Sequence, residues 1–368
     1  MHILMTANSA WNIVNFRRPI VRAFLEAGHS ITVLAPPDES IIEIERLGCV
    51  FIPLAMNVKS LNPLDDLKLL RVFRSIFRLE KPDVVLSYTI KNNIFGAMAA
   101  TSCRIPFIPN VTGLGTAFLS GGILQTLAER LYRQAFARLP VVFFQNEDDR
   151  DLFLRRGLIR NNQAQILPGS GINLSYFSPV NFPTSDAPPV FLMIARVLRD
   201  KGVVEFVEAA RTVKRAHPEA VFQLLGATDA ENRSAIGPAT VRQWGEEGDI
   251  HYLGTTKDVR PAIAAAHCVV LPSYREGAPR TLIEAAAMAR PIIATDVPGC
   301  RSVVDDRKTG FLCQPQNSAS LAHVCIQFLE LSHNAKLAMG IAGRTKMECE
   351  FDEGIIVEAY REAIANVT

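Results

Sequence analysis

The sequence predicts an α/β protein built as two parallel-sheet domains, and three observations predict it. Short apolar runs alternate with amphipathic helical patterns from end to end, the mark of βαβ units with helices on both faces of a sheet. One stretch, 178–189, collects Pro179, Pro183, Pro188 and Pro189 among Asn, Ser, Thr and Asp, and reads as the linker between two such series. The length, 368 residues, fits two domains at roughly 100–200 residues each. The expected domains are therefore 1–177 and 178–351. The last helical stretch, 352–368, has no strand of its own and is expected to cross back onto the first domain.

The elements follow in order. In the first half the apolar runs 3–7, 31–35, 50–54, 84–88, 107–111, 141–145 and 165–168 are short enough for buried parallel strands. Between them, 16–27, 64–79 and 124–139 carry the 3.6-residue period of surface helices. The second half repeats the pattern with strands at 190–195, 221–226, 250–253, 268–271 and 292–295. Its helix 203–216 is fixed by period and by the stop at Pro218. No repeat of 20–50 residues is present. Both halves read as Rossmann-like.

Composition narrows the class. Apolar residues make up 48% and charged residues 21%, an ordinary globular balance. A net charge of +2 argues against a dedicated nucleic-acid binder. No apolar run approaches the roughly 18–20 residues of a membrane span, and the opening Met1-His2-Ile3-Leu4 reads as a first strand, not a signal peptide. Seven scattered cysteines without a CxxC pair are expected to be reduced thiols of a cytoplasmic protein, with no metal framework.

The first βα turn, Asn8 to Arg18, lacks the G-x-G-x-x-G that brings a dinucleotide to a helix N-terminus, and no Walker A sequence occurs. The second domain says more. Arg196 and Lys201 follow the strand 190–195, at the strand end where open α/β sheets bind ligands. A forked donor beside a point charge suits a diphosphate; the plain alternative is a solvated loop. After strand 268–271 comes Ser273-Tyr274-Arg275-Glu276-Gly277-Ala278-Pro279-Arg280-Thr281-Leu282-Ile283-Glu284. The amides of Gly277–Thr281 at a helix start favour an anionic oxygen, and Glu276 can accept from sugar hydroxyls. Glu284 can hold a ribose diol, although Thr281-x-x-Glu284 equally reads as a capping box.

Arg196 and Lys201, the Glu276-x7-Glu284 pair and the run Arg290-Pro291-Ile292-Ile293-Ala294-Thr295-Asp296-Val297-Pro298-Gly299 together resemble the retaining glycosyltransferases of family 4. The first domain resembles the same family through Asn15-Phe16-Arg17, Thr89-Ile90-Lys91 and Val111-Thr112-Gly113-Leu114-Gly115. Those segments are most similar to the bacterial subgroup that extends polyprenyl-diphosphate-linked or lipopolysaccharide-type glycans. The resemblance spans essentially the whole chain. It implies the GT-B fold, two Rossmann-like domains facing across a cleft, and a nucleotide-diphosphate sugar, a UDP-sugar, as donor.

It further implies that Arg196 and Lys201 neutralise the leaving diphosphate, that Glu276 contacts the donor sugar and that Glu284 contacts the ribose. Gly277, Ala278, Pro279, Arg280 and Thr281 would line the donor site. Asn15, Arg17, Lys91, Thr112, Gly113 and Gly115 would meet the acceptor, a lipid-linked or soluble glycan. Many relatives place a histidine in the first-domain loops; here Thr89, Lys91 and 112–115 stand there, and the seven histidines fall elsewhere and read as structural. No side-chain base is assigned, since retention can proceed with the donor phosphate accepting the acceptor's proton. No cofactor is implied.

Asp149-Arg150-Asp151 forms the D-x-D string of metal-dependent transferases, but lies inside a helical pattern, where i and i+2 do not share a face. It is expected to be a solvated surface, with no metal. Two other readings share the same motifs: a nucleotide-sugar epimerase, which would need acid–base groups between the domains, and a non-catalytic sugar- or lipid-binding protein. Finally, the first 180 residues carry 19 basic and 14 acidic residues. Lys59, Lys68, Arg71, Arg74, Arg78 and Lys81 flank or lie on the apolar-striped helix 64–79. That helix and the loop 113–123 are expected to rest on an anionic membrane at its cytoplasmic face, unless the stripe simply packs on the sheet.

Overall fold

A computed structural model describes residues 1–58, 60, 62–114, 122–228 and 234–368. The chain divides into two compact units, 1–171 with 353–368, and 172–352. The division falls six residues before the expected 177/178, because Ile172 and Phe177 are buried in the core of the second unit.

The first unit holds β1 (His2–Thr6), β2 (Ser30–Ala35), β3 (Val50–Pro53), β4 (Val84–Tyr88), β5 (Phe107–Val111), β6 (Val142–Phe144) and β7 (Ala164–Ile166). All pair in parallel, in the order β3-β2-β1-β4-β5-β6-β7. Apolar cores lie on both faces, which is why these strands read as continuous apolar runs instead of alternating ones. The expected helix 16–27 is two helices, Ala10–Phe16 and Arg18–Glu26. Pro19 in the first turn of the second has no N–H to continue the first. The helix Glu353–Ala365 buries Ile356, Val357, Tyr360, Ala363 and Ile364 in this unit's core. Asn110 Nδ2 donates to its Tyr360 Oη at 3.0 Å.

The second unit holds β8 (Val190–Ile194), β9 (Val221–Leu225), β10 (His251–Tyr252), β11 (Cys268–Leu271), β12 (Ile292–Thr295) and β13 (Gly310–Cys313), again all parallel, in the order β10-β9-β8-β11-β12-β13. The Pro-rich stretch is no free tether. The buried Arg290 guanidinium donates to the carbonyls of Val180 (3.1 Å) and Asn181 (2.7 Å), and to those of Ile263 and Ala264. Burial pushes its pKa down to about 10. Among the described residues no helix is long and apolar enough to cross a membrane.

Candidate donor site at the strand ends of the second unit

The strand order of the second unit reverses between β8 and β11, which leaves a crevice beyond their carboxyl ends. The two motif loops are the continuations of those strands. After β8 the chain runs through Arg196 to a short 3-10 turn, Arg199–Lys201, and into the helix Val203–Ala216. After β11 it runs through Pro272–Pro279 into the helix Arg280–Ala287.

Several contacts bind these loops together. Tyr274 N–H donates to Asp200 O at 2.9 Å, and Ser273 Oγ donates to the same oxygen at 3.2 Å. Gly202 lies so close to Pro272 that a Cβ there would stand 2.0 Å from the Pro272 carbonyl oxygen, and its φ of 76° is left-handed. Gly299 (φ 81°), on the loop after β12, approaches the Glu276 and Gly277 carbonyls so closely that a Cβ would lie 2.6 and 2.4 Å away. Thr295 Oγ1, at the end of β12, donates to Ser273 O. The Glu276 loop is thus held by two neighbouring strand ends.

This arrangement brings Lys201 and Glu276 together. Lys201 Nζ lies 2.5 Å from Glu276 Oε1, with both side chains largely covered. The sequence motifs give them different tasks, diphosphate and sugar; the structure pairs them with each other. Arg196 is exposed on the same loop. Cys300 is buried nearby, its thiol pushed up by burial and then by the Glu276 charge.

The helix Arg280–Ala287 has no side-chain cap; its N-cap is Pro279. The capping-box reading of Thr281 and Glu284 is therefore corrected. Thr281 lies inside the helix and donates from Oγ1 to Ile194 O at 3.1 Å, tying the helix to the end of β8. Glu284 accepts from Arg280 Nε at 2.7 Å. Burial pushes the Glu284 carboxyl pKa up, and Arg280 offsets this only in part. Gly277 and Ala278 are half-buried in the loop, and Pro279 is buried.

The sequence reading passed over Tyr274 and Glu205. Tyr274 Oη donates to Glu205 Oε1 at 2.7 Å, across 69 residues of chain. Burial and then that bond push the Tyr274 hydroxyl pKa up, so it stays a donor.

In the first unit the corresponding reversal lies between β1 and β4. Thr89 follows β4 with φ 73°, a strained value for a β-branched residue. Its Oγ1 donates to Asn92 Oδ1 (2.9 Å), and Asn92 Nδ2 donates to Thr6 Oγ1 (2.8 Å) and Ala7 O (3.0 Å). Lys91 is engaged with Asp66 Oδ1 (2.9 Å) and Asn57 O (3.1 Å). Arg17 is only 2% exposed, its guanidinium carbon 4.1 Å from the centre of the Tyr88 ring. Asn15 Nδ2 donates to Trp11 O. Thr112 and Gly113 follow β5, half-buried; Gly115, and the loop 113–123 for the most part, lie outside the described residues, as does Lys59.

The D-x-D expectation of a solvated surface is corrected. Asp149 is fully buried in the first turn of the helix Glu147–Arg155, its N–H donating to the cap Asn146 Oδ1 (2.8 Å) and its Oδ2 accepting from Asn146 Nδ2 (3.2 Å). The helix dipole favours a carboxylate there. Asp151 pairs with Arg150 at 2.8 Å. Among the described residues no three His, Cys, Asp or Glu side chains are grouped to hold a metal.

On the helix Pro63–Glu80, the aromatic Phe73 and Phe77 face the core. The exposed face carries Leu64, Leu67 and Leu79 with Lys68, Arg71 and Arg78. Arg74 is half-buried and donates to Ser102 Oγ at 3.1 Å.

Comparison with known proteins agrees with this architecture. The family described as glycosyl transferases group 1 matches residues 188–331, and the glycosyl transferase 4-like domain matches residues 13–169. The chain is 29% identical, over 98% of its length and 97% of the relative's, to the N,N'-diacetylbacillosaminyl-diphospho-undecaprenol alpha-1,3-N-acetylgalactosaminyltransferase of Campylobacter jejuni. It is 23% identical, over 73% of its length and 72% of the relative's, to the UDP-Gal:alpha-D-GlcNAc-diphosphoundecaprenol alpha-1,3-galactosyltransferase of Escherichia coli. Among solved structures, a glycosyltransferase from Rickettsia africae shares the fold with a TM-score of 0.80 at 18% identity, covering 100% of this chain and 98% of that one. HepE of Anabaena in complex with UDP does so with a TM-score of 0.79 at 16% identity, over 100% of both chains.

Proposed function

Because the chain belongs to the family-4 glycosyltransferases and has their GT-B fold, we propose that it moves a sugar from a UDP-sugar to a polyprenyl-diphosphate-linked glycan in surface-polysaccharide or glycoprotein-glycan assembly, with retention. The observation that carries the donor site is the juxtaposition of Lys201, Glu276 and an uncapped helix start at the β8–β11 reversal. Lys201 and Arg196 meet the diphosphate, and Glu276, released from Lys201, accepts from hydroxyls of the sugar. Glu284 takes the ribose diol. As the bond from the anomeric carbon to the diphosphate oxygen breaks, negative charge gathers on the leaving group, and the two cations with the helix amides stabilise it. The acceptor oxygen bonds the same face of that carbon, and its proton passes to the departing phosphate oxygen. No side-chain base and no metal are required in this scheme; the burial of Asp149 supports reading the D-x-D string as part of the fold.

The acceptor's lipid calls for membrane contact. The exposed face of Pro63–Glu80 supplies it: leucines enter the interface while Lys68, Arg71 and Arg78 meet anionic headgroups. Peripheral attachment at the cytoplasmic face follows from this reading.

The test is a panel of nucleotide sugars with a short-chain isoprenyl-diphosphate N-acetylhexosaminide, scoring diphosphate release and extended product. Release that requires the acceptor, with an alpha-linked product, is expected. Interconversion of the sugar without transfer would identify an epimerase, and binding without turnover a sugar-binding protein.

A further inference from the structure

We propose that Tyr274 and Glu205 form a positioning pair that sets Lys201 against Glu276, an inference that rests on the donor site proposed above. Lys201 and Glu276 sit at the ends of two loops from different strands, so their meeting depends on how those loops are fastened. One fastening is backbone: Tyr274 N–H and Ser273 Oγ both donate to Asp200 O. The other is the side chain of Tyr274, which reaches Glu205 one turn into the helix that Lys201 leads. Tyr274 thus grips that helix two residues before Glu276, and Glu205 receives it four residues after Lys201.

The chemistry of Glu205 argues against a role in stability alone. Its second oxygen, Oε2, is buried without a hydrogen-bond partner among the described residues. A half-satisfied carboxylate costs free energy that an apolar residue would not. What it provides is a charge-assisted bond, shorter and stronger than a neutral one, at one fixed point. Misplacing a catalytic group by 1 Å costs about 10²-fold in rate, so even partial loosening of Lys201 is measurable. A competing explanation places Glu205 in the first helical turn simply to meet the helix dipole. That explanation involves Glu205 alone and leaves Tyr274 without a part.

The experiment compares Y274F, E205A, E205Q, Y274F with E205A, and K201A in the full-length protein, on the donor from which the wild type releases diphosphate. Y274F and E205A should each lower kcat roughly tenfold while the donor KM changes less than twofold. The double variant should lose no more than either single one, because both break the same bond. E205Q, whose amide oxygen still accepts from Tyr274 but without the charge, should be faster than E205A and slower than wild type. Wild-type kcat in Y274F, multiplicative losses in the double variant, or an E205Q as slow as E205A would each overturn the pair. If Y274F does not fold, the contrast of E205A with E205Q still decides it. K201A separates the two readings. An inactive K201A beside fully active Y274F and E205A sinks only the positioning pair; an undiminished K201A sinks the donor site and the pair with it.

Discussion

Lys201→Ala is the most informative perturbation, because the structure predicts different sizes for its effects on rate and on stability. In the resting enzyme Lys201 Nζ pairs with Glu276 Oε1 at 2.5 Å, the two side chains 23% and 13% exposed. Exposed pairs contribute about 0.2–1 kcal/mol, and removing one partner of a buried pair costs about 3–5 kcal/mol. A largely but not fully covered pair falls between, at about 1–2 kcal/mol. For a unit of this size that lowers Tm by roughly 2–8 °C. In the proposed scheme Lys201 faces charge that develops only on the departing diphosphate, where losing one preorganised donor costs about 10²–10³ in kcat. The assay is diphosphate release at saturating donor alongside a thermal melt. Adding Glu276→Ala to Lys201→Ala should restore part of the Tm, since the stranded carboxylate is gone, and none of the rate. A Lys201→Ala enzyme within tenfold of wild-type kcat, or a double variant that regains activity, would refute the reasoning.

The remaining predictions test other parts of the molecule. Burial raises the Glu284 carboxyl pKa, so its folded form is favoured below the unfolded pKa and loses that advantage as pH rises; E284Q should melt higher than wild type at pH 7.5, converge with it in acid, and bind donor more weakly, and a lower Tm at pH 7.5 would contradict this. His267 Nδ1 accepts from Val190 N–H at 3.1 Å, and burial, aided by Lys336, Arg290 and His333, pushes its pKa down from 6.5 to about 4. Its contribution is present above pH 6.5 and is lost as pH falls towards 4, about 3 kcal/mol at 1.36 kcal/mol per unit; H267N should flatten that part of the stability–pH curve, read by denaturant melts. K68E with R71E should abolish sedimentation with anionic vesicles and leave donor turnover in detergent unchanged; Arg74, tied to Ser102, is the wrong site for this test. Chelator should leave the rate unchanged, and inactivation reversed by magnesium or manganese would overturn the metal-free scheme.

Much of the fold is legible because each buried strand is a continuous apolar run and each helix has a period, both local properties of the chain. What escapes is what distance in sequence hides. β13, which opens on Gly310 and holds only Phe311, Leu312 and Cys313 as apolar residues, gives no strand signal; pairing with β12 makes it one. Arg17 is expected from the motif to meet the acceptor, yet it is buried with its guanidinium over the Tyr88 ring, a contact 71 residues away that no local pattern shows. Asp149 is expected to be solvated because it and Asp151 stand on different faces of a helix, yet the cap Asn146 and the helix start make a buried carboxylate tolerable there.

The donor site divides the same way. Arg196, Lys201, Glu276 and Glu284 are visible in sequence because each stands just beyond a buried strand or in the helix that follows, where a parallel sheet presents its ligands. Their coupling is not visible. No local rule joins Lys201 to Glu276 over 75 residues, or Tyr274 to Glu205 over 69. Nor does one show Gly299 closing on the Glu276 carbonyl. Two electrostatic features of the second unit fall on these same elements: Glu284 held above the ordinary carboxylate range and Glu205 satisfied through one oxygen. A fold selected for stability alone would be better served by apolar contacts at these two positions. On the proposed reading a nucleotide sugar brings hydroxyls to Glu276 and Glu284 and phosphate oxygens to the amides at the start of the helix Arg280–Ala287. On that reading, saturating nucleotide should raise stability by the mass-action term, and E284Q, which removes a buried charge and a donor contact together, should show a smaller rise.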